Sequence, residues 1–182
     1  MSKTTLPPMP AALAARPMDP RRKLPIPAVN EVLEDGTGDF VVIQGDTALR
    51  LATQGRCALC GQLMGGGSAA FIGGPASAES GLFTDPPMHE ACAEAALRLC
   101  PHMARQHARR ASERRVPEGS TIPAGFSEEK PQEWVMVLAP LYGAGVTAAA
   151  DGGLVPLFRA LGEVRKRRFG YEGGVLVERA DG

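Results

Sequence analysis

Apolar residues in this chain form short clusters that are separated by stretches rich in glycine and proline. Short runs with large apolar side chains are typical of strands, and the last of them follows a hairpin turn. The predicted strands lie at residues 39–43, 69–72, 134–138 and 171–177. A brief helix or turn fits residues 46–51, and residues 154–161 stay ambiguous because a proline in the segment also suits a first helical turn.

A longer helix is predicted in the middle of the chain. Asp85 suits an N-cap and Pro86 suits the first helical position, and alanines and leucines follow them. The pattern continues to about Arg115. A kink is expected at Pro101, because proline cannot donate the intrahelical hydrogen bond.

Composition indicates one domain with a modest core. The chain has 182 residues; 44% are hydrophobic but only 5% are aromatic, and it holds 22 glycines and 16 prolines. Residues 1–27 contain seven prolines and few large apolar residues, which predicts a disordered arm. Residues 28–182 are predicted to form a single α+β domain, with a polar linker at 116–131 and C-terminal strands at 132–179.

Charge and hydropathy narrow the functional classes. The formal net charge is zero, so the whole chain carries no polyelectrolyte signal for nucleic acid or membrane. There is no apolar run of about 18 residues and no N-terminal segment that resembles a signal peptide. The chain is therefore expected to be soluble and cytoplasmic, without a membrane partner.

Two pairs of metal-ligand residues stand at suitable spacing. Cys57 and Cys60 form a CxxCG motif, and His89 and Cys92 form an HxxC motif at the start of the predicted helix. Ligands three residues apart on a tight turn or on one helix face can reach the same ion, which bond lengths near 2.0–2.3 Å require. Gly61 suits the positive φ that such a turn often needs. These four residues are predicted to bind one structural Zn²⁺.

Other interpretations of the cysteines and histidines stay open. Cys100 lies roughly 12 Å along a continuous helix from Cys92, so one ion cannot bind both. Cys100 is then a small buried apolar residue, and His102 and His107 are packing or solvated histidines. The cysteines can also be unrelated thiols, a disulfide pair or a redox motif, but the glycine run after Cys60 does not support the helix that a thioredoxin-like CxxC opens.

The ligand pairs resemble the treble-clef zinc finger over residues 55–103. The resemblance rests on the knuckle at the CxxCG motif, a short glycine-rich hairpin from Gly65 to Gly81, and a helix that delivers His89 and Cys92. It implies a fold and four ligands. Treble clefs serve in nucleases, ribosomal proteins and interaction modules, so the resemblance alone implies no single function.

A second resemblance extends over residues 39–178. The chain is similar to an uncharacterised family of proteins from actinobacteria and their phages. The segments that carry this likeness are Cys57-Ala-Leu-Cys60-Gly61, Phe71-Ile72-Gly73, Pro86 to Ala93, Cys100-Pro101, the strand that begins at Trp134, and Tyr171-Glu172-Gly173. The likeness implies no activity.

Three functional classes compete. The first is a non-enzymatic, zinc-stabilised binding or adaptor protein with an unknown protein partner, because a closed four-ligand site leaves no open position for catalysis. The second is a nucleic-acid-binding protein that uses a basic helix at 98–115 and a basic cluster at 165–168. The arginines concerned are Arg98, Arg105, Arg109, Arg110, Arg165, Arg167 and Arg168.

The third class, an enzyme such as a metal-dependent hydrolase, has the least support. An HNH-type nuclease needs a histidine in the hairpin, but no histidine lies between Cys60 and His89. A zinc deaminase needs His-x-Glu ahead of its cysteine pair, but here the order is reversed. No serine sits in a nucleophile elbow. The sequence therefore favours a protein that is not an enzyme.

Overall fold

The computed structural model describes residues 8–40, 43–107, 130–149 and 152–180. Its helices are α1 (Ala11–Ala14), α2 (Gly45–Thr53), α3 (Pro75–Ser80), α4 (Glu90–Leu99) and α5 (Pro101–Ala104). Its strands are β1 (Ala69–Gly73), β2 (Leu82–Phe83), β3 (Met88–His89), β4 (Glu133–Ala139), β5 (Leu141–Ala148), β6 (Leu154–Leu161), β7 (Arg165–Glu172) and β8 (Val175–Arg179). Within these ranges, no helix is long and apolar enough to cross a bilayer.

Antiparallel pairing joins the strands into two sheets. One sheet has five strands in the order β3-β1-β4-β7-β8, and the other has three in the order β2-β6-β5. The central strand β4 is buried from Trp134 to Ala139, as its continuous run of large apolar side chains predicts. The α+β class predicted from the sequence is confirmed.

The core lies on both faces of the five-stranded sheet. Successive side chains of a strand point to opposite faces, so β1 and β4 each supply two packing surfaces. Ala70, Ile72 and Met136 pack with the cysteines and α4 on one face. Phe71 and Val137 pack on the other face with α2, α3 and the three-stranded sheet. The metal-ligand residues therefore belong to one face only.

Most predicted strands are confirmed, and the ambiguous segment is resolved. Strands β1 and β4 cover the runs at 69–72 and 134–138. The run at 171–177 contains the end of β7, a turn in which Gly173 and Gly174 have positive φ, and the start of β8. Residues 154–161 form strand β6, in which Pro156 lies opposite Val146. The segment at 46–51 is part of helix α2. Residues 39 and 40 lie outside any strand, and 41–42 lie outside the described residues.

The helix predicted from Pro86 to Arg115 begins later than expected and is interrupted within the described residues. Pro86 and Pro87 are buried ahead of strand β3, and the helix begins at Glu90 with His89 as its N-cap. Met88 and His89, which precede the helix, form strand β3 and pair with β1. This strand pairing outweighs the local helix-capping signal at Asp85. Helix α4 ends at Leu99, and the short helix α5 follows from Pro101 to Ala104. Arg105, directly after α5, has an extended backbone. The rest of the predicted helix, from residue 108, lies outside the described residues.

The glycine-rich hairpin predicted from Gly65 to Gly81 is also wrong. Strand β1 pairs with β3 and β4, while β2 pairs with β6 in the other sheet. Helix α3 lies between them, with Pro75 in its first turn and Gly81 in the left-handed conformation at its end. Two strands that belong to different sheets cannot form a hairpin, so this part of the treble-clef expectation does not hold.

The predicted disordered arm is ordered over its described residues, 8–27. Leu13 of α1 is buried in the core. The Asp19 carboxylate is fully buried and accepts hydrogen bonds from the backbone N–H groups of Arg21, Arg22 and Gly38. Donation from Arg22 and Gly38 holds the pKa of Asp19 below its usual value. These bonds stabilise a segment whose composition alone resembles a flexible arm.

We expect Tyr171→Phe to destabilise the protein by about 1–3 kcal/mol, because it removes two hydrogen bonds and leaves the buried indole of Trp134 unpaired. Trp134 Nε1 donates to the Tyr171 hydroxyl at 2.9 Å, and that hydroxyl donates to the carbonyl of Met103 at 2.8 Å. Urea unfolding measures the change. Tyr142→Phe is the matched control, since it removes one bond, to the carbonyl of Ala52. An equal loss in both variants would contradict this account.

Candidate metal centre

The first ligand pair lies on a tight turn after helix α2. The backbone N–H of Cys57 donates to the carbonyl of Gln62, and the N–H of Gly61 donates to the carbonyl of Cys57. Gly61 has a φ of 77°, the left-handed conformation that the sequence predicts for this position. The turn therefore directs the sulfurs of Cys57 and Cys60 to the same side of the backbone.

The second pair lies at the junction of strand β3 and helix α4. His89 pairs with Ala69 of β1 and is also the N-cap of α4, and Cys92 lies in the first turn of that helix. The two pairs are joined directly, because the N–H of Ala58 donates to the carbonyl of Pro87 at 3.0 Å. This bond holds the turn that carries Cys57 next to the residues that precede His89.

The structure brings the four predicted ligands together. One Sγ from each of Cys57, Cys60 and Cys92 and one ring nitrogen of His89 all lie within 4.8 Å of one another. His89 Nδ1 lies 3.4 Å from the sulfur of Cys60 and 3.9 Å from that of Cys92. A tetrahedral ion with bonds of 2.0–2.3 Å needs donor atoms roughly 3.5–4 Å apart. The four residues can therefore hold one metal ion.

A backbone carbonyl orients the imidazole. His89 Nε2 lies 3.1 Å from the carbonyl oxygen of Leu63, and donation from Nε2 leaves the lone pair of Nδ1 free to face the sulfurs. Such a partner on the far side of the ring is a regular feature of metal-binding histidines. The CxxC and HxxC spacings give no sign of it, because Leu63 becomes a neighbour only when the knuckle meets β3.

Burial and hydrogen bonding divide the protons among the thiols. Exposed fractions are at most 3% for Cys57, Cys60 and Cys92. A hydrogen bond from the Cys92 thiol lowers the pKa of Cys57 to about 4, helped by backbone N–H groups. The same shared proton raises the pKa of Cys92, and burial raises the pKa of Cys60. One thiolate is thus favoured at neutral pH, and a divalent cation would replace the protons on the other two.

The competing ligands lie elsewhere. Cys100 follows the end of α4 and is only partly buried, and it does not belong to the four-residue group found within the described ranges. The ring of His102 packs edge-on against Trp134, with centroids 5.7 Å apart. The ring contact fits the packing role expected for His102, whereas Cys100 is less buried than the sequence analysis expects.

The basic residues of β7 are distributed over both faces of the sheet. Arg165 and Arg167 lie opposite Leu138 and Met136, on the face that carries α4. Arg168 lies opposite Val135, on the other face. The pleat therefore separates residues that form one cluster in the sequence.

Carboxylates neutralise these three arginines. Arg167 contacts Glu90 and Glu94 of α4 and Glu178 of β8, and it lowers the pKa of Glu178. Arg165 contacts Glu90 at 3.2 Å, and Arg168 contacts Glu133 at 2.6 Å. Because Glu90 follows the ligand His89, this network also fixes the start of α4 against the sheet. The sequence around β7 gives no sign that its arginines will contact α4.

The other arginines proposed for nucleic acid do not form one helical face. Arg98 lies in the last turn of α4, whereas Arg105 has left the helix and forms an isolated bridge with Val175. Arg109 and Arg110 lie outside the described residues.

Comparison with protein-family models, with curated proteins and with solved structures gives no match to this chain.

We expect the binding of one Zn²⁺ at pH 8 to release about two protons. Cys57, with a pKa of about 4, is then already a thiolate, whereas the raised pKa values keep Cys60 and Cys92 protonated until the ion binds. Calorimetric titration in two buffers of different ionisation enthalpy gives the number. A release of three protons would show that Cys57 is not a thiolate beforehand.

Proposed function

We propose that this protein is a non-enzymatic binding or adaptor protein that is stabilised by one structural Zn²⁺ and binds a protein partner. The observation that carries the proposal is the approach of three buried thiols and one imidazole nitrogen to within 4.8 Å. A bound cation suits such a donor set, because it stabilises the several neighbouring thiolates that burial alone would disfavour.

The donor atoms favour zinc among the common ions. Three sulfurs and one nitrogen within 4.8 Å of one another form the Cys₃His set of structural zinc sites. Mg²⁺ and Ca²⁺ prefer oxygen ligands, and the four donor atoms include none.

The coordination shell supports a structural role. Catalytic zinc keeps a position for water or substrate, usually with three protein ligands, while a structural site is closed by four. Here the four donors complete the shell, and the three cysteines are almost fully buried. The ion would join the knuckle to β3 and α4, two segments more than 25 residues apart in the sequence.

The remaining polar groups named above also support binding rather than catalysis. The arginines of β7 form ion pairs, the Asp19 carboxylate accepts backbone hydrogen bonds, and His102 packs on Trp134. A surface cleft of about 200 Å³ is lined by glycine, methionine, alanine, proline, leucine and tyrosine. Tyr142 is the one titratable side chain among those lining residues, and its hydroxyl already donates to the carbonyl of Ala52.

Ion pairing argues against the nucleic-acid alternative. Phosphate binding needs arginines that share one face and keep their charge available. Arg165, Arg167 and Arg168 instead face carboxylates on two sides of the sheet. Of the treble-clef resemblance, the turn with the first ligand pair and the helix with Cys92 remain, but the hairpin does not. The resemblance to the actinobacterial and phage family stays a prediction.

The zinc proposal is tested by metal content and thermal unfolding of Cys60→Ser. We expect about one zinc per chain in the parent protein, and in the variant a loss of metal together with several kcal/mol of stability, because metal binding is coupled to folding. Cys100→Ser is the matched control, since it changes a cysteine outside the four-residue group. Equal metal content and stability in the parent and Cys60→Ser would overturn the proposal.

The choice between protein and nucleic-acid partners is tested by a gel-shift assay at two salt concentrations. We expect no salt-dependent shift with DNA or RNA, because carboxylates already neutralise the arginines of β7. The quadruple variant Glu90→Gln, Glu94→Gln, Glu133→Gln, Glu178→Gln removes the carboxylates that contact these arginines and serves as the positive comparison. Steep salt dependence in the parent protein would favour the nucleic-acid alternative.

A further inference from the structure

Strand β5 forms one edge of the three-stranded sheet. It pairs along its whole length with β6, from Leu141 opposite Leu161 to Ala148 opposite Leu154, without a bulge. The sheet order β2-β6-β5 leaves its other side without a neighbouring strand among the described residues. An edge of this kind presents a row of backbone N–H and C=O groups that can pair with another strand.

The other sheet ends are protected in ways that β5 is not. Strands β2 and β3 have two residues each. Strand β8 carries Glu178 and Arg179, and the segment after α5 covers its start, where Gln106 N–H donates to the carbonyl of Gly174. Short length, charge and coverage are the usual defences of edge strands. Strand β5 has eight residues and contains neither a charged residue nor a proline.

Apolar side chains remain exposed along the antiparallel pair of strands β5 and β6, called the β5–β6 hairpin below. Leu141 and Val146 of β5 are 66% and 54% exposed, and Leu154 of β6 is 73% exposed. Helix α2 packs on one face of the β5–β6 hairpin, where the Tyr142 hydroxyl donates to the carbonyl of Ala52. That helix covers a face and not the edge, because Ala144, Gly145 and Val146 remain exposed.

We propose that β5 pairs antiparallel with β5 of a second copy of this chain, so that two three-stranded sheets form one six-stranded sheet. A second copy is the occupant that the charges favour. Two copies of Leu141–Ala148 bring no like charges together in any register, because the strand has none. The two edges also have equal length and the same unpaired backbone groups, as an isologous two-fold interface requires.

Two-fold symmetry limits the register. A sheet that continues across a two-fold axis perpendicular to it places one residue of β5 opposite its own copy. The middle of the strand is Ala144 and Gly145, and pairing centred on either keeps nearly the whole edge in contact. Both positions are exposed, and a Cβ built on Gly145 meets nothing within 4 Å. Cysteine at either position is therefore accommodated.

The first test is sedimentation equilibrium of the full-length, zinc-loaded chain over a range of concentrations. We expect a monomer–dimer equilibrium with a Kd of roughly 1–100 µM, since pairing of one edge gives an interface at the small, transient end of the range. Gly145→Lys places like charges near the axis and should weaken the dimer at least about tenfold. Leu154→Lys is the control, because it removes a more exposed apolar side chain from the inner strand and should change the Kd by less than about threefold.

The second test is oxidative cross-linking in a Cys100→Ser background. Gly145→Cys or Ala144→Cys should give a disulfide-linked dimer, because directly opposed residues have Cβ atoms about 4.5–5.5 Å apart. Leu154→Cys should not, since it lies opposite Ala148, roughly 10–13 Å along the strand from the axis.

Three results would overturn the proposal. One is a chain that stays monomeric at about 1 mM, and another is association that Leu154→Lys abolishes as fully as Gly145→Lys. The third is equal cross-linking at all three cysteine positions, which would indicate unspecific contact between apolar surfaces. Failure of the zinc proposal is told apart by its own readout, because metal content reports on the four ligands whereas self-association and cross-linking report on β5.

Discussion

Three sulfurs and one imidazole nitrogen must be held within a few ångströms of one another, and the face of the sheet that carries them is built around this constraint. The knuckle alone positions only two donors. The other two depend on the pairing of His89 with Ala69 and on the helix that begins at the next residue. The hydrogen bond from Ala58 to Pro87 joins the two halves. Each half is a short segment with little core of its own, so the site and the sheet stabilise one another, as expected for a chain with few aromatic residues.

The pleat of the central sheet decides how charge is used. Neighbouring residues of β7 face opposite sides, so a run of four basic residues becomes two separate groups. Arg167 meets Glu90, Glu94 and Glu178, while Arg168 meets Glu133. These pairs are mostly part-exposed, and each contributes modestly to stability. Their larger effect is on function, because a guanidinium surrounded by carboxylates has less charge to offer to a phosphate.

Local signals in the sequence were sufficient for some features and not for others. Strand β4 is predictable from the apolar run at Trp134–Leu138, and each ligand pair is predictable from its three-residue spacing. In both cases the residues that determine the structure are close in the sequence. The helix start at Asp85 was predicted wrongly because pairing of Met88 with Ala70 depends on a strand 18 residues earlier. The hairpin at Gly65–Gly81 failed for the same reason. Strand pairing between distant segments leaves no local mark, and neither does the carbonyl of Leu63 behind the imidazole.

The small residues of strand β5 make the strand hard to predict from the sequence and also suit it to pairing with another strand. Its sequence, Leu-Tyr-Gly-Ala-Gly-Val-Thr-Ala, contains two glycines and two alanines, which weaken every strand signal, so composition did not reveal it. The same small residues make the edge flat and allow another backbone to approach closely. The arginines at 165, 167 and 168 of the other sheet form internal ion pairs, and the net charge of the chain is zero. A partner that binds at β5 is therefore recognised through backbone hydrogen bonds and apolar contact, which suits a polypeptide and not a polyanion.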